Sequence, residues 1–249
     1  MLTQERHLQI LAQLEEKGTV SVAQLTQLLG ASESTVRRDL IALDRLGKLH
    51  KVHGGATLTR RDFIRREEKL DEKLQLHMDE KEMIAAYAAA QVDDMDFVYL
   101  DAGSSTLLMI DHLQPGATFV TNGLLHAQRL VAKGLKTYVL GGELKHTTDA
   151  IIGLAAAKNL HNYNFSKCFI GTNGIAIRQG FTTPDTDEAY LKAAAMERSF
   201  VSYVLADASK FDKVSTVSFA PLDQAAIITD RLPDPEYGER TVVKEVALL

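Results

Sequence analysis

The sequence predicts a mixed α/β chain in two parts: short helices closed by a β-hairpin at the N-terminus, then an open, mostly parallel α/β sheet. Three observations carry this. Residues 1–57 hold helical apolar patterns punctuated by Gly18 and Gly30, then a short alternating stretch around Gly54-Gly55. From residue 74 onward, short apolar runs alternate with helical patterns, the grammar of a parallel sheet. Nearly every apolar run then ends in small, hydroxyl, amide or glycine residues, at the edge where open α/β sheets bind ligands.

A chain of 249 residues is long enough for one large domain or two. No apolar run approaches the roughly 20 residues needed to cross a bilayer. The polar, amphipathic start predicts no signal peptide, and the single cysteine, Cys168, rules out an internal disulfide. A cytoplasmic protein without membrane contact is expected. The net charge of −5 is unevenly spread: residues 1–57 carry 7 Lys/Arg against 6 Asp/Glu, residues 58–73 carry 6 against 5, and the remainder carries 15 against 22. The acidity belongs to the C-terminal part, so a clustered basic surface near the N-terminus stays compatible with DNA.

Taken in order, Thr3 is the expected N-cap of a first helix over about residues 4–16, with Leu8, Leu11 and Leu14 inward and Gly18 as its stop. Thr19-Val20 forms a short extended piece. Ser21 with Gln24 makes a capping box for a second helix carrying Leu25, Leu28 and Leu29. Gly30-Ala31 turns into a third helix, capped by Ser32 and running on to Leu46. Val36, Leu40 and Leu43 fall at i, i+4 and i+7, one apolar stripe that leaves Ser34, Thr35, Arg37 and Arg38 outward. Small hydroxyls and two guanidiniums on the first turns suit a DNA major groove, where arginines fork onto phosphates or guanine edges. Helix, turn, helix is a DNA-binding arrangement, although an ordinary three-helix packing unit shares the spacing.

Gly47 is expected to end this helix, and Lys48 to Ala56 reads as strand, Gly-Gly turn and return. Leu49 and Val52 cannot both face inward on a regular strand, so a bend or bulge is expected. A hairpin bearing Lys48, His50, Lys51 and His53 beside the helix is a wing able to hold the phosphate backbone. Leu2 through Ala56, with "SESTVRRDL", "LGKL" and "VHGGA", resembles the winged helix-turn-helix of DeoR-family transcriptional regulators. The expected contacts to operator double-stranded DNA are Ser32, Ser34, Thr35, Arg37, Arg38, Lys48, Lys51 and His53. The expected divisions are 1–57 for this domain, 58–73 for a charged, partly helical linker, and 74–249 for a sensor. The linker either transmits a signal or is only a solvated face.

In the C-terminal part, Asp79 with Glu82 is expected to cap a helix carrying Met83, Ile84, Tyr87 and Ala88. Strands follow at Phe97–Leu100, Thr118–Val120, Thr137–Leu140, Cys168–Ile170, Tyr203–Ala206 and Ala226–Ile228. Gly103 to Thr106 offers backbone N–H groups and hydroxyls at a helix N-terminus, a phosphate cradle that matches neither the Walker pattern nor GxGxxG. Several such strand ends converging, with Lys192 and Lys210 available for negative charge, point to a small phosphorylated ligand. A helix opening at Asp187, after a loop over residues 180–185, carries Glu188 and Lys192 four apart. They form either a surface pair contributing about 0.2–0.5 kcal/mol or a carboxylate for sugar hydroxyls beside an ammonium for phosphate. The eight histidines show no metal-ligand spacing, and no nucleophile–base arrangement is evident. No metal, cofactor or catalytic residue is expected.

This part, through "YLDAGSST", "FVTNG", "LGGELK", "IIG", "GTNGI", "GFTTPDTDEAYLK" and "VLADASKF", also resembles the DeoR family, so that the likeness spans about residues 1–231. It implies a fold similar to ribose-5-phosphate isomerase, used as a sugar-phosphate sensor. "MLTQERH", "LDAGSSTLLMID" and "GFTTPDTDEA" resemble the members that govern fructose operons, which implies fructose 1-phosphate as inducer. The effector residues implied are Asp101, Gly103, Ser104, Ser105, Thr106, Thr121, Asn122, Gly141, Gly142, Gly171, Asn173, Gly174, Glu188, Lys192 and Lys210. Ser105 stands where many members have Thr and keeps the hydroxyl. The expected protein is a repressor, a homo-oligomer (dimer or tetramer), released from its operator by a sugar phosphate. The alternative is a sugar-phosphate isomerase with an accessory N-terminal domain, for which Glu188, Asp101 or Asp207 is the nominee as base.

Overall fold

Helix caps and one close backbone approach shape the N-terminal elements. The computed structural model describes residues 2–46, 48–58, 63–64 and 69–246, with Leu58 described by its backbone alone. The chain divides into two units, Met1–Phe63 and Ile64–Leu249. In the first, α1 (Thr3–Lys17) has Leu2, not Thr3, at its N-cap position, because the Glu5 carboxylate reaches back to accept the Leu2 N–H at 2.9 Å. Ile10 and Leu14 are its buried residues, whereas Leu8 is 69% exposed. The expected Leu8 stripe fails because Leu8 lies about 200° around the helix from Ile10.

Gly18, at φ 73°, ends α1, and β1 (Thr19–Ser21) follows. The Ser21–Gln24 capping box opens α2 (Val22–Leu29), and the Ser32 hydroxyl accepts the Thr35 N–H at the start of α3 (Glu33–Arg45). Val36, Leu40 and Leu43 are buried, as the stripe requires. Gly47 lies outside the described residues. Strands β2 (Leu49–Val52) and β3 (Gly55–Leu58) pair antiparallel in unbroken register, with β1 on the other side of β3. The expected bulge is absent: Leu49 is buried and Val52 is 41% exposed, since positions three apart on a strand face opposite sides. The turn itself is His53-Gly54, and Gly55 belongs to β3. There a Cβ would stand 2.1 Å from the Val20 carbonyl oxygen, so only glycine lets β1 approach.

Residues 59–62 and 65–68 of the expected linker lie outside the described residues; between them is β4 (Phe63–Ile64), and α4 (Leu70–Gln75) follows with Leu70 buried. α5 (Met78–Ala89) has His77 at its N-cap, so Asp79 sits inside the first turn instead of capping it. Its charge still favours that helix end.

The remaining elements alternate. They are β5 (Phe97–Leu100), α6 (Ser104–His112), β6 (Thr118–Thr121), α7 (Leu124–Ala132), β7 (Lys136–Val139), β8 (Glu143–Lys145), β9 (Ala150–Ile152) and α8 (Gly153–Leu160). Then come β10 (Phe165–Gly171), β11 (Gly174–Ala176), β12 (Gly180–Thr183), α9 (Thr186–Glu197), β13 (Ser199–Leu205), β14 (Val214–Ser215), β15 (Val217–Ala220), β16 (Ala226–Thr229), α10 (Glu236–Arg240) and β17 (Val243–Glu245). Seven strands form a wholly parallel sheet in the order β17-β16-β13-β10-β5-β6-β7. The chain winds from β5 toward β7, then from β10 toward β17, so its direction reverses between β5 and β10. One face is covered through Ile84, Leu107 and Leu130 of α5, α6 and α7, and the other through Ala156, Leu191 and Ala195 of α8 and α9.

Two antiparallel additions were not expected: the hairpin β8–β9 and the sheet β11-β12-β15. The stretch read as a loop before Asp187 holds the buried strand β12, and α9 opens at Thr186 with Asp185 as its cap, accepting the N–H groups of Asp187 and Glu188. Among the described residues no helix is long and apolar enough to cross a membrane.

Candidate functional site

Two surfaces carry the polar residues singled out above. On the first unit, Arg37 and Arg38 project from α3 into solvent. Arg37 Nη2 lies 3.3 Å from Glu33 Oε2, and Arg38 Nε donates to the Ser34 carbonyl at 3.2 Å. Ser32 and Ser34 are exposed; Thr35 is half-buried, its hydroxyl 2.9 Å from that of Ser32. Lys48, Lys51 and His53 are exposed on or beside the β2–β3 hairpin, which the Lys51 N–H ties to α3 through Asp44 at 2.9 Å. Behind α3, buried Asp39 accepts Arg6 Nε at 2.7 Å and Nη2 at 3.1 Å, with His7 Nε2 at 3.3 Å. Burial pushes the Asp39 carboxyl up, but the Arg6 and His7 contacts outweigh it and hold it below the ordinary value. The helix is thus anchored to α1 by a charged fork, and its own cations face water.

The second surface lies at the reversal point between β5 and β10, where doubly wound sheets open a crevice. Asp101 Oδ2 accepts the Gly171 N–H at 3.0 Å and also Lys192 Nζ, which joins the end of β5 to the end of β10. Lys192 Nζ further donates to the Gly171 carbonyl at 3.1 Å and stands 5.9 Å above the Phe219 ring. Glu188 and Lys192 are therefore no exposed i,i+4 pair: both are buried, with different partners. Glu188 accepts Lys145 Nζ at 3.0 Å and the Thr148 hydroxyl at 3.0 Å, both from the β8–β9 hairpin. Desolvation raises its carboxyl, yet Lys192 and Lys145 bring it below the usual range. Asp185, which accepts Lys145 Nζ at 2.9 Å, is lowered against its own burial by the Glu188 N–H first and by Lys145 second.

A cavity opens here between the start of α6, the end of β10, α9 and the segment after β13. Ser104 and Ser105 lie in the first turn of α6, where N–H groups have no intrahelical acceptor, and theirs meet no other backbone acceptor among the described residues. Facing the same space are Lys210 and Asp207. Asp207 Oδ1 accepts the Ser209 N–H at 3.0 Å, and its Oδ2 is buried with no hydrogen-bond partner among the described residues. Such an oxygen calls for a donor. The site thus combines donors suited to an anion with an acceptor suited to a hydroxyl.

Of the expected effector residues, Gly103, Ser104, Ser105, Gly171, Asn173, Glu188, Lys192 and Lys210 line this cavity, and Asp101 stands directly behind it. The others do not line it. The Thr106 hydroxyl is buried against Asp101 and Gly103, and that of Thr121 accepts the Gly123 N–H at 3.0 Å. Asn122 accepts the Tyr99 hydroxyl and the Ala102 N–H, and donates to Ile151. The Gly141 N–H donates to Asn159. Gly142 and Gly174 are pressed against the Ile152 and Lys213 carbonyls, where a Cβ would come within 2.6 and 2.4 Å. Lys73, Lys81, Thr148 and Thr172 line the cavity without having been singled out. Lys81 carried a signal, because it falls in register with buried Ile84, Ala85 and Ala88 on one helix face. Its Nζ donates to the Leu76 carbonyl at 2.6 Å and to that of Lys73. Among the described residues no His/Cys/Asp/Glu group is arranged to hold a metal.

Fold and site define a class: a winged helix-turn-helix unit joined to an α/β unit with a polar cavity at its reversal point. The DeoR-like helix-turn-helix domain matches residues 6–68, and the DeoR C terminal sensor domain matches residues 76–231. The chain is 45% identical to the uncharacterized HTH-type transcriptional regulator FruR of Bacillus subtilis (strain 168), over 99% of each chain. It is 33% identical to the HTH-type transcriptional regulator IolR of the same organism over 89% of each, and 32% identical to the lactose phosphotransferase system repressor of Staphylococcus aureus (strain NCTC 8325 / PS 47) over 94% of each. The chain belongs to the DeoR family: it is a DNA-binding transcriptional regulator and not an enzyme, so the isomerase alternative falls away. Among solved structures, ribose 5-phosphate isomerase A from Methanocaldococcus jannaschii aligns over 54% of each chain at 15% identity, with a TM-score of 0.39.

Proposed function

We propose that this regulator represses a sugar-utilisation operon, that of fructose, and leaves its operator when fructose 1-phosphate fills the cavity at the reversal point. The observation that carries the reading is that Asp207, whose Oδ2 is buried without a hydrogen-bond partner among the described residues, lines the same cavity as the open N-terminus of α6 and Lys210. The helix end and the ammonium bind the phosphate dianion, and the carboxylate oxygen takes a sugar hydroxyl. Repression of a sugar system is supported by the S. aureus relative, itself a repressor of a lactose phosphotransferase system. The choice of fructose 1-phosphate rests on the likeness to fructose-operon members. Arg37 and Arg38 read the major groove while Lys48, Lys51 and His53 hold phosphates, with residues 1–57 as reader, 58–73 as connector and 74–249 as sensor. The protein works in the cytoplasm as a homo-oligomer, a dimer or tetramer. Release requires the sugar phosphate to favour the non-binding arrangement by about 1–3 kcal/mol.

A thermal-shift panel of fructose 1-phosphate, fructose 6-phosphate, glucose 1-phosphate and fructose tests this. Fructose 1-phosphate at a hundredfold excess over its dissociation constant adds roughly 2.7 kcal/mol of apparent stability, and fructose adds none. Lys210→Ala weakens that binding about tenfold, the loss of one charged contact, with sugar-free operator affinity unchanged. A shift with another sugar phosphate alone rules out the fructose operon; no shift with any rules out the sensor reading.

A further inference from the structure

We propose that His126 is the positioning residue that aims the phosphate-binding N–H of Ser104 into the cavity. This rests on reading the cavity as a phosphate site. His126 lies on α7, 1% exposed and behind the cavity wall. Its Nε2 is 3.1 Å from the Gly103 carbonyl oxygen and 3.1 Å from the Thr106 hydroxyl. A carbonyl only accepts, so Nε2 carries the hydrogen. The ring is neutral: burial pushes it down to about 4.

The consequence follows from peptide geometry. The Gly103 carbonyl and the Ser104 N–H belong to one planar trans peptide and point in opposite directions. The carbonyl accepts the Leu107 N–H of α6 at 3.0 Å, and His126 is a second donor to it from α7, so together they hold the N–H toward the cavity that Gly103 and Ser104 line. The Thr106 hydroxyl completes the frame by accepting the Gly103 N–H at 3.0 Å and donating to the Asp101 carbonyl at 2.6 Å. A second residue is committed to the same arrangement. At Gly123 a Cβ would stand 2.3 Å from His126 Nδ1, so glycine at the start of α7 makes room for the ring. The imidazole thus preorganises a donor for an anion it never touches.

The test compares His126→Leu, which removes the donor, His126→Gln, which keeps an N–H, and Gly123→Ala, which displaces the ring without changing its chemistry. Fructose 1-phosphate and inorganic phosphate affinities are measured by calorimetry on the full chain, beside sugar-free operator affinity. His126→Leu and Gly123→Ala each lose about tenfold in affinity for whichever anion the wild type binds, the scale of one hydrogen bond. His126→Gln stays within about threefold, and operator affinity is unchanged in all three. Wild-type anion affinity in His126→Leu, or in Gly123→Ala should the leucine variant not fold, overturns the assignment. Parallel loss of operator affinity overturns it as well, since that marks general damage. A wild-type protein that binds neither anion removes the phosphate reading itself, an outcome distinct from wild-type binding with indifferent variants.

Discussion

Arg37 meets Glu33 at 3.3 Å with the two side chains 53% and 62% exposed, whereas Lys192 meets Asp101 with side chains only 7% and 4% exposed. The first pair contributes little to stability, and its arginine is free to exchange a carboxylate for a phosphate. The second is desolvated, held by backbone groups of β10, and part of the wall of a cavity. A polyanion is met by exposed cations whose attraction depends on salt, because counterions are released. A single small anion, as proposed for the cavity, is met instead by buried groups fixed beforehand. In the proposed function the two surfaces thus meet phosphate chemistry by different physical routes.

The largest expected effect breaks this contrast if it fails. Lys192→Met leaves the Asp101 carboxylate buried without its ammonium and costs about 3–5 kcal/mol of stability, read from denaturant unfolding. A loss no greater than that of an exposed pair would mean the site is wetter than its burial implies. Next is acid sensitivity. His126 is held at about 4, below the unfolded value of 6.5, so the unfolded chain binds a proton in that window that the folded chain does not. Its stabilisation, at most roughly 3 kcal/mol, is complete above the unfolded value and is lost as pH falls through the folded one. Asp185, lowered against its burial by the Glu188 N–H and Lys145, and Glu188, lowered by Lys192 and Lys145, act in the same direction below the ordinary carboxylate range. Unfolding free energies of wild type and His126→Gln across this range separate the imidazole from the carboxylates; identical acid curves would remove His126 as the cause.

Smaller, and confined to the first unit, is the effect of Arg37→Ala and Arg38→Ala. Each weakens operator binding by about 1–3 kcal/mol, and each arginine that meets a phosphate lowers the salt slope by about 1 when removed. Sugar-phosphate binding stays unchanged. An operator affinity indifferent to both substitutions would remove α3 as the reading element. The smallest effect sharpens the comparison: Glu33→Gln changes unfolding free energy by under about 0.5 kcal/mol.

How much was legible follows from the range of the forces involved. Ser21 and Ser32 cap their helices as read, because a cap is settled within four residues. The strand ends at Asp101, Gly171 and Lys210 were visible because apolar runs give way there to small and polar residues. Leu8 and Val52 were misjudged because an apolar residue near a stripe does not say which neighbour covers it. Lys81 and Thr148 escaped notice because they reach the cavity from α5 and from the β8–β9 hairpin, elements far in sequence from the strand ends that form its other walls.

By itself the sequence determined the helix starts at Ser21 and Ser32, the parallel sheet and the family, since these depend on periodicity, caps and long ungapped motifs. Only the tertiary structure decided which polar residues share a cavity. That Glu188 turns to Lys145 instead of Lys192 and that His126 stands behind the cradle are contacts between residues far apart in sequence. Their geometry is set by how β5 and β10 pack side by side, and no local pattern encodes that distance.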